Sequence, residues 1–376
     1  RLPVSITEPD GSRWSFEYDD RGNLLSATDP IGAVTHYSYD ENGHLTAITD
    51  ALGSTRRIET DAAGRPTAIT DPYGRTRRYA YDAAGRLCEV TDPTGGVTRF
   101  GWTSGNKLAW RELPSGATER WTYDGEGNLV EYTDALGGVT RYEYTHFDLM
   151  SARTGPLGDR EEFAYDTELR LIRVTNPVGG TWTYEYDPAG NLIRETDFDG
   201  RVLTYRYDAA GRLVERTNGA RESITYTRDV LGNIIEQRCG DAVTTFAYDP
   251  LGRMTAAVSP QAELVMERDP LGRIVAETCA GRTLTNEYDI LGRRIRRRTP
   301  SGAVSVWEYD RCDQPVVLHA GEHSLRFDYD ASGREIARSV ERGTPHAAHA
   351  TAPSDAAAPP DAARLLAQEW DDVHRL

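Results

Sequence analysis

The amino-acid sequence predicts an all-β protein, an array of about seventeen β-hairpins that form one long antiparallel sheet. Three observations lead to this fold class. The motif YDAAGRL occurs at residues 81–87 and 207–213, and related motifs recur every 20 or 21 residues. Alternating runs with aromatic residues two positions apart come before twelve of the copies. A second turn signal, Asp-Pro-x-Gly, follows several of them. A fixed period along a whole chain indicates a repeat array rather than several globular domains.

The first strand of each repeat is the alternating run before the motif, as in residues 34–39, Val-Thr-His-Tyr-Ser-Tyr. Successive side chains of a strand point to opposite faces, so aromatic residues two apart share one face. Aromatic and β-branched residues also suit a pleated surface. The run therefore predicts a strand with one aromatic face.

The first turn is the Asp-x-x-Gly part of the motif. A type I turn followed by a left-handed residue forms a three-residue hairpin loop, and glycine adopts the left-handed conformation without steric cost. The leading aspartate can accept hydrogen bonds from the turn backbone. Twelve copies have glycine at the closing position: Gly22, Gly43, Gly64, Gly85, Gly127, Gly190, Gly211, Gly232, Gly252, Gly272, Gly292 and Gly333.

Five copies carry another residue at the closing position of the first turn. Asn106, Asp148 and Asp313 are acceptable there, because short polar side chains visit left-handed conformations. Leu169 and His374 do not fit this rule. We therefore expect altered loops at these two positions.

The second strand and second turn complete the repeat. Residues 24–28 and 192–196 are examples of the strand, which runs from the motif leucine to a threonine. Asp-Pro-x-Gly, as at residues 29–32, has the residue preferences of a type I turn. Each repeat is thus predicted to hold two short strands and two tight turns, without a helix.

Composition agrees with a thin, turn-rich β protein. Hydrophobic residues make up 38% of the 376 residues, glycines number 35, and the mean hydropathy is −0.59. The net charge of −16 and the pI near 5.0 argue against nucleic acid as the main partner. The four cysteines are not closely spaced, so we expect reduced thiols. The sequence has no signal peptide and no apolar run of about 18 residues, so it predicts no membrane-spanning segment.

Three segments are predicted along the chain. Residues 1–341 form the repeat array. Residues 342–363 are rich in alanine and proline, which predicts a mobile loop or linker. Residues 364–376 begin a further repeat that is truncated.

No catalytic, cofactor-binding or metal-binding residue is predicted. The eight histidines form no HExxH pattern, and no nucleophile motif such as GxSxG occurs. The arginine run at 293–298 would divide between the two faces of a strand, which favours a solvated face or contact with acidic cargo. The turn aspartates recur in register and could bind calcium between repeats, but the turn-capping interpretation is preferred because calcium needs six to eight oxygens in one place. These aspartates include Asp19, Asp40, Asp61, Asp82, Asp187, Asp208, Asp249 and Asp289.

The repeated YDxxGRL motifs with TDPxG turns resemble the YD repeats of the Rhs family, which are shared with C components of insecticidal toxin complexes and with teneurins. The resemblance implies a β-ribbon that spirals into a hollow shell around a C-terminal toxin domain. It further implies delivery by a secretion apparatus through an N-terminal domain, and a self-cleaving DPxGL plug before the toxin. This chain contains no recognisable copy of those parts. Its DPLG sequences at 249–252 and 269–272 lie in ordinary hairpin register.

Two functional classes remain at this point. The first is a non-catalytic section of shell wall that partitions a toxin from its surroundings, made in the bacterial cytoplasm and then delivered to a competitor or host cell. Its partners would be the toxin cargo and the remaining shell segments of the same polypeptide. With about 34 strands at roughly 4.8 Å each, this section would be a curved, spiralling ribbon about 160 Å long. The second class is an extracellular adhesion or carbohydrate-binding array.

Overall fold

A computed structural model describes residues 2–342 and the backbone of Ala363–Ala367. The chain divides into two compact units. The first comprises Arg1–Thr98, Asp249–Thr255 and Glu263–Leu376, and the second comprises Arg99–Tyr248 and Ala256–Ala262.

The described residues contain 34 β-strands. Those of the first unit are β1 (Ser5–Thr7), β2 (Arg13–Tyr18), β3 (Leu24–Thr28), β4 (Val34–Tyr39), β5 (Leu45–Thr49), β6 (Thr55–Thr60), β7 (Pro66–Thr70), β8 (Thr76–Tyr81), β9 (Leu87–Thr91), β26 (Glu263–Arg268), β27 (Ile274–Cys279), β28 (Arg282–Tyr288), β29 (Arg294–Arg298), β30 (Val304–Tyr309), β31 (Pro315–Ala320), β32 (His323–Tyr329), β33 (Glu335–Arg342) and β34 (Ala363–Ala367). Those of the second unit are β11 (Leu108–Glu112), β12 (Thr118–Tyr123), β13 (Leu129–Thr133), β14 (Val139–Tyr144), β15 (Met150–Thr154), β16 (Arg160–Tyr165), β17 (Leu171–Thr175), β18 (Thr181–Tyr186), β19 (Leu192–Thr196), β20 (Val202–Tyr207), β21 (Leu213–Thr217), β22 (Ser223–Arg228), β23 (Ile234–Cys239) and β24 (Ala242–Tyr248). Strands β10 (Val97–Trp102) and β25 (Met254–Val258) span unit boundaries.

Within each unit, strands that are consecutive in sequence pair antiparallel. In the first hairpin of the array, Ser15 lies opposite Thr28, and in the next pairing Ser26 lies opposite His36. The same register recurs repeat by repeat, for example between β18 and β19 and between β19 and β20. The prediction of an all-β array of antiparallel hairpins is confirmed.

Both turns of a repeat have the same backbone hydrogen bonds. In the first turn, the amide of Gly22 donates to the carbonyl of Asp19 at 3.0 Å, and Gly22 has φ of 89°. In the second, Gly32 donates to the carbonyl of Asp29 at 3.0 Å with φ of 88°. The left-handed closing residue predicted for the first turn therefore also closes the second. Asn106, Asp148 and Asp313 are left-handed as well, as the sequence predicted.

The change of period from 21 to 20 residues has a local cause. In three of the four 20-residue steps, at Cys239–Ala242, Cys279–Arg282 and Ala320–His323, the five-residue second turn is replaced by a two-residue turn between directly paired ends. In the fourth, between Gly252 and Gly272, the turn at residues 259–262 has four residues. The flanking strands lengthen in compensation: β24 and β28 have seven residues where β18 and β20 have six. The register of the hairpins is thus kept across the shorter repeats.

The expectation of an altered loop at Leu169 was wrong. Leu169 has φ of 64°, and its amide donates to the carbonyl of Asp166 at 3.1 Å, as a glycine does in the other copies. The amides of Glu168 and Arg170 both donate to the Asp166 carboxylate at 2.9 Å. These bonds hold the leucine in an unfavourable conformation, which costs about 1–2 kcal/mol for a residue with a Cβ. The other predicted exception, His374, lies outside the described residues.

Substitution of Leu169 by glycine is expected to stabilise the protein by about 1 kcal/mol, because it removes this backbone strain and the leucine side chain is 45% exposed. Denaturant unfolding should report the change as a higher midpoint. Leu136→Gly is the matched control, because Leu136 is an exposed turn leucine without positive φ. It should leave the midpoint unchanged or lower it. Equal effects of the two substitutions would contradict the strain at Leu169.

The buried core is thin and consists of small residues. Ala68, Ala152 and Ala337 are each 1% exposed, and Ser26 is 4% exposed. Among the described residues no large side chain is completely buried. Stability must therefore come mainly from strand pairing, turns and the side chains that lie across the sheet.

Within the first unit, turns from the N-terminal repeats contact turns from the C-terminal repeats. Arg253 forms an ion pair with Asp10 at 2.8 Å, and the Nη2 of Arg75 donates to the Sγ of Cys312 at 3.2 Å. Further contacts join Arg311 N to Tyr73 Oη (3.3 Å), Arg75 Nη1 to Asp330 O (3.4 Å) and Arg56 to Asp313 (3.9 Å). Residues far apart in sequence are therefore held together by polar contacts between loops.

The segment predicted as a linker lies outside the described residues, apart from Arg342 at the end of β33 and Ala363 at the start of β34. The backbone of β34 pairs with β33, with Ala367 opposite Ala337. The three-segment division of the chain stays a prediction. No helix in the described part of the chain has the length and apolar character needed to cross a membrane.

Candidate functional site: the YDxxGRL turns and the two sheet faces

The aspartate of the motif caps its own turn. In the copy at residues 81–87, one carboxylate oxygen of Asp82 accepts hydrogen bonds from the amides of Ala84 and Arg86, both at 2.9 Å. The same two bonds form at Asp61 and Asp208. The capping interpretation of the turn aspartates is confirmed at these positions.

The arginine of the motif links one turn to the next. Arg65 pairs with Asp61 of its own turn, with Nε and Oδ2 2.8 Å apart, and its guanidinium lies 4.8 Å from the ring centre of Tyr81 in the next repeat. Arg170 and Arg293 combine the same ion pair and stacking, and each also donates to the carbonyl of the aspartate that heads the next turn. Cation–π contacts of this kind contribute about 0.5–1 kcal/mol at exposed sites.

The tyrosine of the motif bonds back to the preceding repeat. The hydroxyl of Tyr81 donates to the carbonyl of Pro66 at 2.8 Å, and that of Tyr207 donates to the carbonyl of Leu192 at 2.8 Å. The acceptor is the residue that occupies the leucine position of the previous motif. Burial raises the pKa of both hydroxyls, so they remain donors at neutral pH. The tyrosine, aspartate, glycine and arginine of YDxxGRL therefore each have a structural role, and the leucine position contributes its backbone carbonyl.

Arginine replaces the tyrosine in two repeats and makes the same contact. The Nη2 of Arg228 donates to the carbonyl of Leu213 at 3.2 Å, and the Nη2 of Arg268 donates to the carbonyl of Met254 at 3.2 Å. Both arginines occupy the position that tyrosine holds in most copies of the motif. The structure retains the bond between neighbouring repeats because a guanidinium, like a phenol, donates across that distance.

The turn carboxylates are held in their charged form. Hydrogen bonds from Arg86 lower the pKa of Asp82 below its ordinary value of 3.8. Arg65 and Arg212 lower the pKa values of Asp61 and Asp208 in the same way. Hydrogen bonding to the charged form is the expected cause of such a shift.

One face of the sheet in the second unit, which we call the aromatic face, carries most of its large side chains. Cross-strand partners share a face, and Trp121 lies opposite Tyr132 while Tyr184 lies opposite Glu195. The aromatic face is defined by Trp121, Tyr132, Tyr142, Phe163, Trp182, Tyr184 and Tyr205. Their side chains are half-buried, so rings remain available at the surface.

The opposite side, the charged face, carries cross-strand ion pairs. Arg141 pairs with Glu131 at 3.1 Å, and Arg206 pairs with Glu215 at 2.7 Å. Exposed pairs of this kind contribute about 0–1 kcal/mol each. The two faces of the sheet in this unit thus differ clearly in chemistry.

A buried carboxylate belongs to the aromatic face. Glu119 is 4% exposed, forms an ion pair with Arg111 and accepts a hydrogen bond from the hydroxyl of Tyr132 at 2.8 Å. Burial and this bond raise the pKa of Tyr132 to about 12. Sequence reasoning did not single out Glu119, because its burial depends on which residues face it across the strands.

The remaining sequence candidates are dispersed. Arg293 of the arginine run lies in the turn before β29 and pairs with Asp289, whereas Arg294, the first residue of β29, stacks over the ring of Trp307 at 4.4 Å. No group of three or more metal-ligating side chains comes together within the described residues. The four cysteines are free thiols.

Sequence reasoning found the capping aspartate and the closing glycine but missed the roles of the arginine and of the tyrosine hydroxyl. A signal was present, since arginine directly follows the closing glycine in repeats such as Gly64–Arg65 and Gly85–Arg86. The sequence alone does not reveal this role, because one partner of the arginine is the aspartate of its own turn and the other lies in the next repeat, one period away.

Comparison with known proteins agrees with these repeats. The family model described as RHS Repeat matches residues 2–30, 18–55 and 61–97, and the model described as Teneurin YD-shell matches residues 105–264. No curated protein matches the chain.

Two solved structures are similar to this chain in fold. The Photorhabdus luminescens Tc holotoxin pore matches with a TM-score of 0.55 at 17% identity, over 88% of this chain and 20% of that chain. The crystal structure of TcdB2–TccC3 matches with a TM-score of 0.51 at 18% identity, over 88% of this chain and 20% of that one. The chain therefore spans about a fifth of the length of these structures.

The repeats, their turn chemistry and these matches identify a structural, shell-type module. The chain belongs to the Rhs/YD-repeat family.

Proposed function

We propose that this chain is a non-catalytic section of the wall of an Rhs-type shell that encloses a C-terminal toxin domain for delivery to a competitor or host cell. The observation that carries the proposal is the ladder of YDxxGRL turns. Motif tyrosine hydroxyls and motif arginines tie hairpins to their neighbours, as at Tyr81 and Arg65. These bonds join hairpins that have almost no core of their own.

Such a wall keeps the toxin cargo separate from its surroundings. Consecutive strand pairing satisfies the backbone and covers the strand edges inside the array, which would otherwise recruit other chains. The difference between the faces supports the same role, because an aromatic face suits contact with a partly folded polypeptide and a charged face suits solvent. The toxin cargo and the remaining shell segments of the same polypeptide are the proposed partners. A delivery apparatus would act through an N-terminal domain.

The location follows from this role. The protein is made in the bacterial cytoplasm and afterwards delivered into the target cell. The similarity to part of the Photorhabdus luminescens Tc holotoxin pore supports this assignment by analogy of fold.

Protease protection tests the proposal. The gene product that contains this chain is digested with proteinase K, and the surviving fragments are identified by mass spectrometry. We expect a sequence C-terminal to Leu376 to survive together with the repeats and to be digested rapidly when it is expressed alone. Digestion of that sequence at the same rate in both contexts, or specific binding of the repeats on a glycan array without any protected cargo, would favour the adhesion array instead.

A further inference from the structure

A second carboxylate of the aromatic face, Glu195, lies among aromatic side chains. The indole Nε1 of Trp182 donates to its Oε2 at 3.1 Å, and the hydroxyl of Tyr205 donates to its Oε1 at 2.5 Å. Both donors are neutral. The carboxylate is thus fixed in position by two hydrogen bonds that do not balance its charge.

The rings around Glu195 face in more than one direction. Trp182 and Tyr184 are stacked, with ring centres 6.1 Å apart and planes inclined by 18°. Phe198 meets Trp182 edge-on, with ring centres 5.4 Å apart and planes at 87°, and is 41% exposed. Tyr184 is directly opposite Glu195 across the strand pair. We call these four rings and the carboxylate the Glu195 cluster: Trp182, Tyr184, Glu195, Phe198 and Tyr205.

The repeats provide an internal comparison for the charge of this cluster. At two equivalent cross-strand positions of the same face, a carboxylate lies opposite an arginine and pairs with it. Glu119 pairs with Arg111, and Glu161 pairs with Arg153 at 3.3 Å. In the third equivalent pair Glu195 takes the place of the arginine and Leu203 takes the place of the carboxylate, so Glu195 lies opposite Leu203. Among the described residues Glu195 forms no ion pair, so this position has the anion without the cation.

The nearest basic residue by register, Arg216, lies opposite Tyr205 one strand further along. It belongs to the next hairpin. Its charge acts on the Tyr205 hydroxyl, but among the described residues it forms no ion pair with Glu195, so the carboxylate keeps a place for a cation from another polypeptide.

We propose that the Glu195 cluster binds the side chain of a lysine or arginine from an extended polypeptide. A carboxylate attracts the cationic head, and aromatic ring faces attract it through their quadrupoles, an effect that strengthens when the cation is partly desolvated. The apolar stem of the same side chain can pack against the rings. The unbalanced charge of Glu195 favours a cation over a neutral sugar.

The occupant that fits is a basic stretch of polypeptide that crosses the aromatic face. If the proposed function is correct, this stretch belongs to the cargo; only that identity rests on the proposed function. Binding of a free basic peptide requires no cargo, and protection of cargo from protease does not require Glu195. Failure of one experiment can therefore be told apart from failure of the other.

Fluorine NMR of the full chain labelled with 5-fluorotryptophan tests the binding. The Trp182 resonance is assigned with the Trp182→Phe variant. The probe is a blocked glycine peptide with two lysines, and the control peptide has norleucine in their place. We expect a saturable shift of the Trp182 resonance with the lysine peptide alone, and weaker binding at high ionic strength.

The Glu195→Gln variant should bind the lysine peptide about tenfold more weakly or not at all, because it removes the charge while keeping an acceptor for Trp182 or Tyr205. Glu161→Gln is the matched control, since that carboxylate already has Arg153, and it should bind normally. Tyr184→Leu is a second variant, which removes a ring opposite Glu195 and should also weaken binding. Hydrogen exchange of β18–β20 in each variant shows whether the strands around Glu195 keep their structure, so that weaker binding can be assigned to the substituted side chain.

Three outcomes would overturn the inference. Equal binding of the norleucine peptide would mean an apolar site. A shift of Trp182 with a neutral chito-oligosaccharide but not with the lysine peptide would mean a sugar site. No shift with either probe in the folded protein would mean that the cluster serves stability alone.

Discussion

Acidification from about pH 5 to about pH 3 is expected to lower the unfolding temperature of this protein steeply and to disorder its first turns before its strands. The cause is the set of capping aspartates. Their pKa values are lowered in the folded state by hydrogen bonds from the motif arginine, as at Asp61, Asp82 and Asp208.

The direction of the effect follows from linkage. A carboxyl group whose pKa is lower in the folded than in the unfolded protein binds fewer protons when folded. Its contribution to stability is fully present above the unfolded pKa near 3.8 and is lost as the pH falls through the folded value. Each turn contributes modestly because it is exposed, but the same group recurs along the array, and the losses add.

Calorimetry at several pH values measures the unfolding temperature, and hydrogen exchange corrected for intrinsic rates locates the loss. The turn at Thr145 is an internal control, because a hydroxyl accepts the hydrogen bond from the amide of Leu149 there at 3.3 Å. The amides of the Thr145 turn should stay protected from hydrogen exchange at a pH where those of the Asp82 turn have lost their protection. Asp82→Asn should remove the acid response of that one turn. An unfolding temperature that stays constant between about pH 5 and about pH 3 would contradict the role given to the carboxylates.

Replacement of Glu119 by leucine is expected to lower the free energy of unfolding by about 2–4 kcal/mol. The substitution leaves the guanidinium of Arg111 without its partner and removes the acceptor of the Tyr132 hydroxyl. Glu119 itself is only 4% exposed, and the side chain of Arg111 is 37% exposed. The free-energy cost of leaving the Arg111 guanidinium and the Tyr132 hydroxyl without their partner exceeds the gain from burying a leucine side chain.

Two further variants identify the cause of this loss. Arg111→Leu combined with Glu119→Leu should recover much of the stability, because it removes both charges together. Glu161→Leu is the matched surface control. Its pair with Arg153 has side chains 36% and 43% exposed, and its loss should cost less than about 1 kcal/mol.

Guanidinium unfolding measures these differences, and hydrogen exchange shows where they act. In a repeat array each unit contacts mainly its neighbours, so protection should fall in β11–β14 and remain in β18–β21. Equal losses for Glu119→Leu and Glu161→Leu would contradict the importance of burial at Glu119.

The local chemistry of each repeat was already present in the sequence. The spacing of Asp82 and Gly85 predicts a capped turn with a left-handed closing residue, and alternation in residues 34–39 predicts a strand with one aromatic face. These features depend on residues a few positions apart, so the chain determines them before any tertiary contact forms. Leu169 marks the limit, because its conformation is imposed by the bonds to Asp166 and not by its own preference.

The tertiary structure decided which side chains are neighbours across the strands. Arg65 reaches Tyr81, Glu119 meets Arg111, and Glu195 faces Leu203 because strand register sets these residues side by side. Register is a property of paired strands and not of either strand alone. The sequence by itself therefore determined the repeat and its turns, and only the assembled sheet decided which charges are balanced and which remain open to a partner.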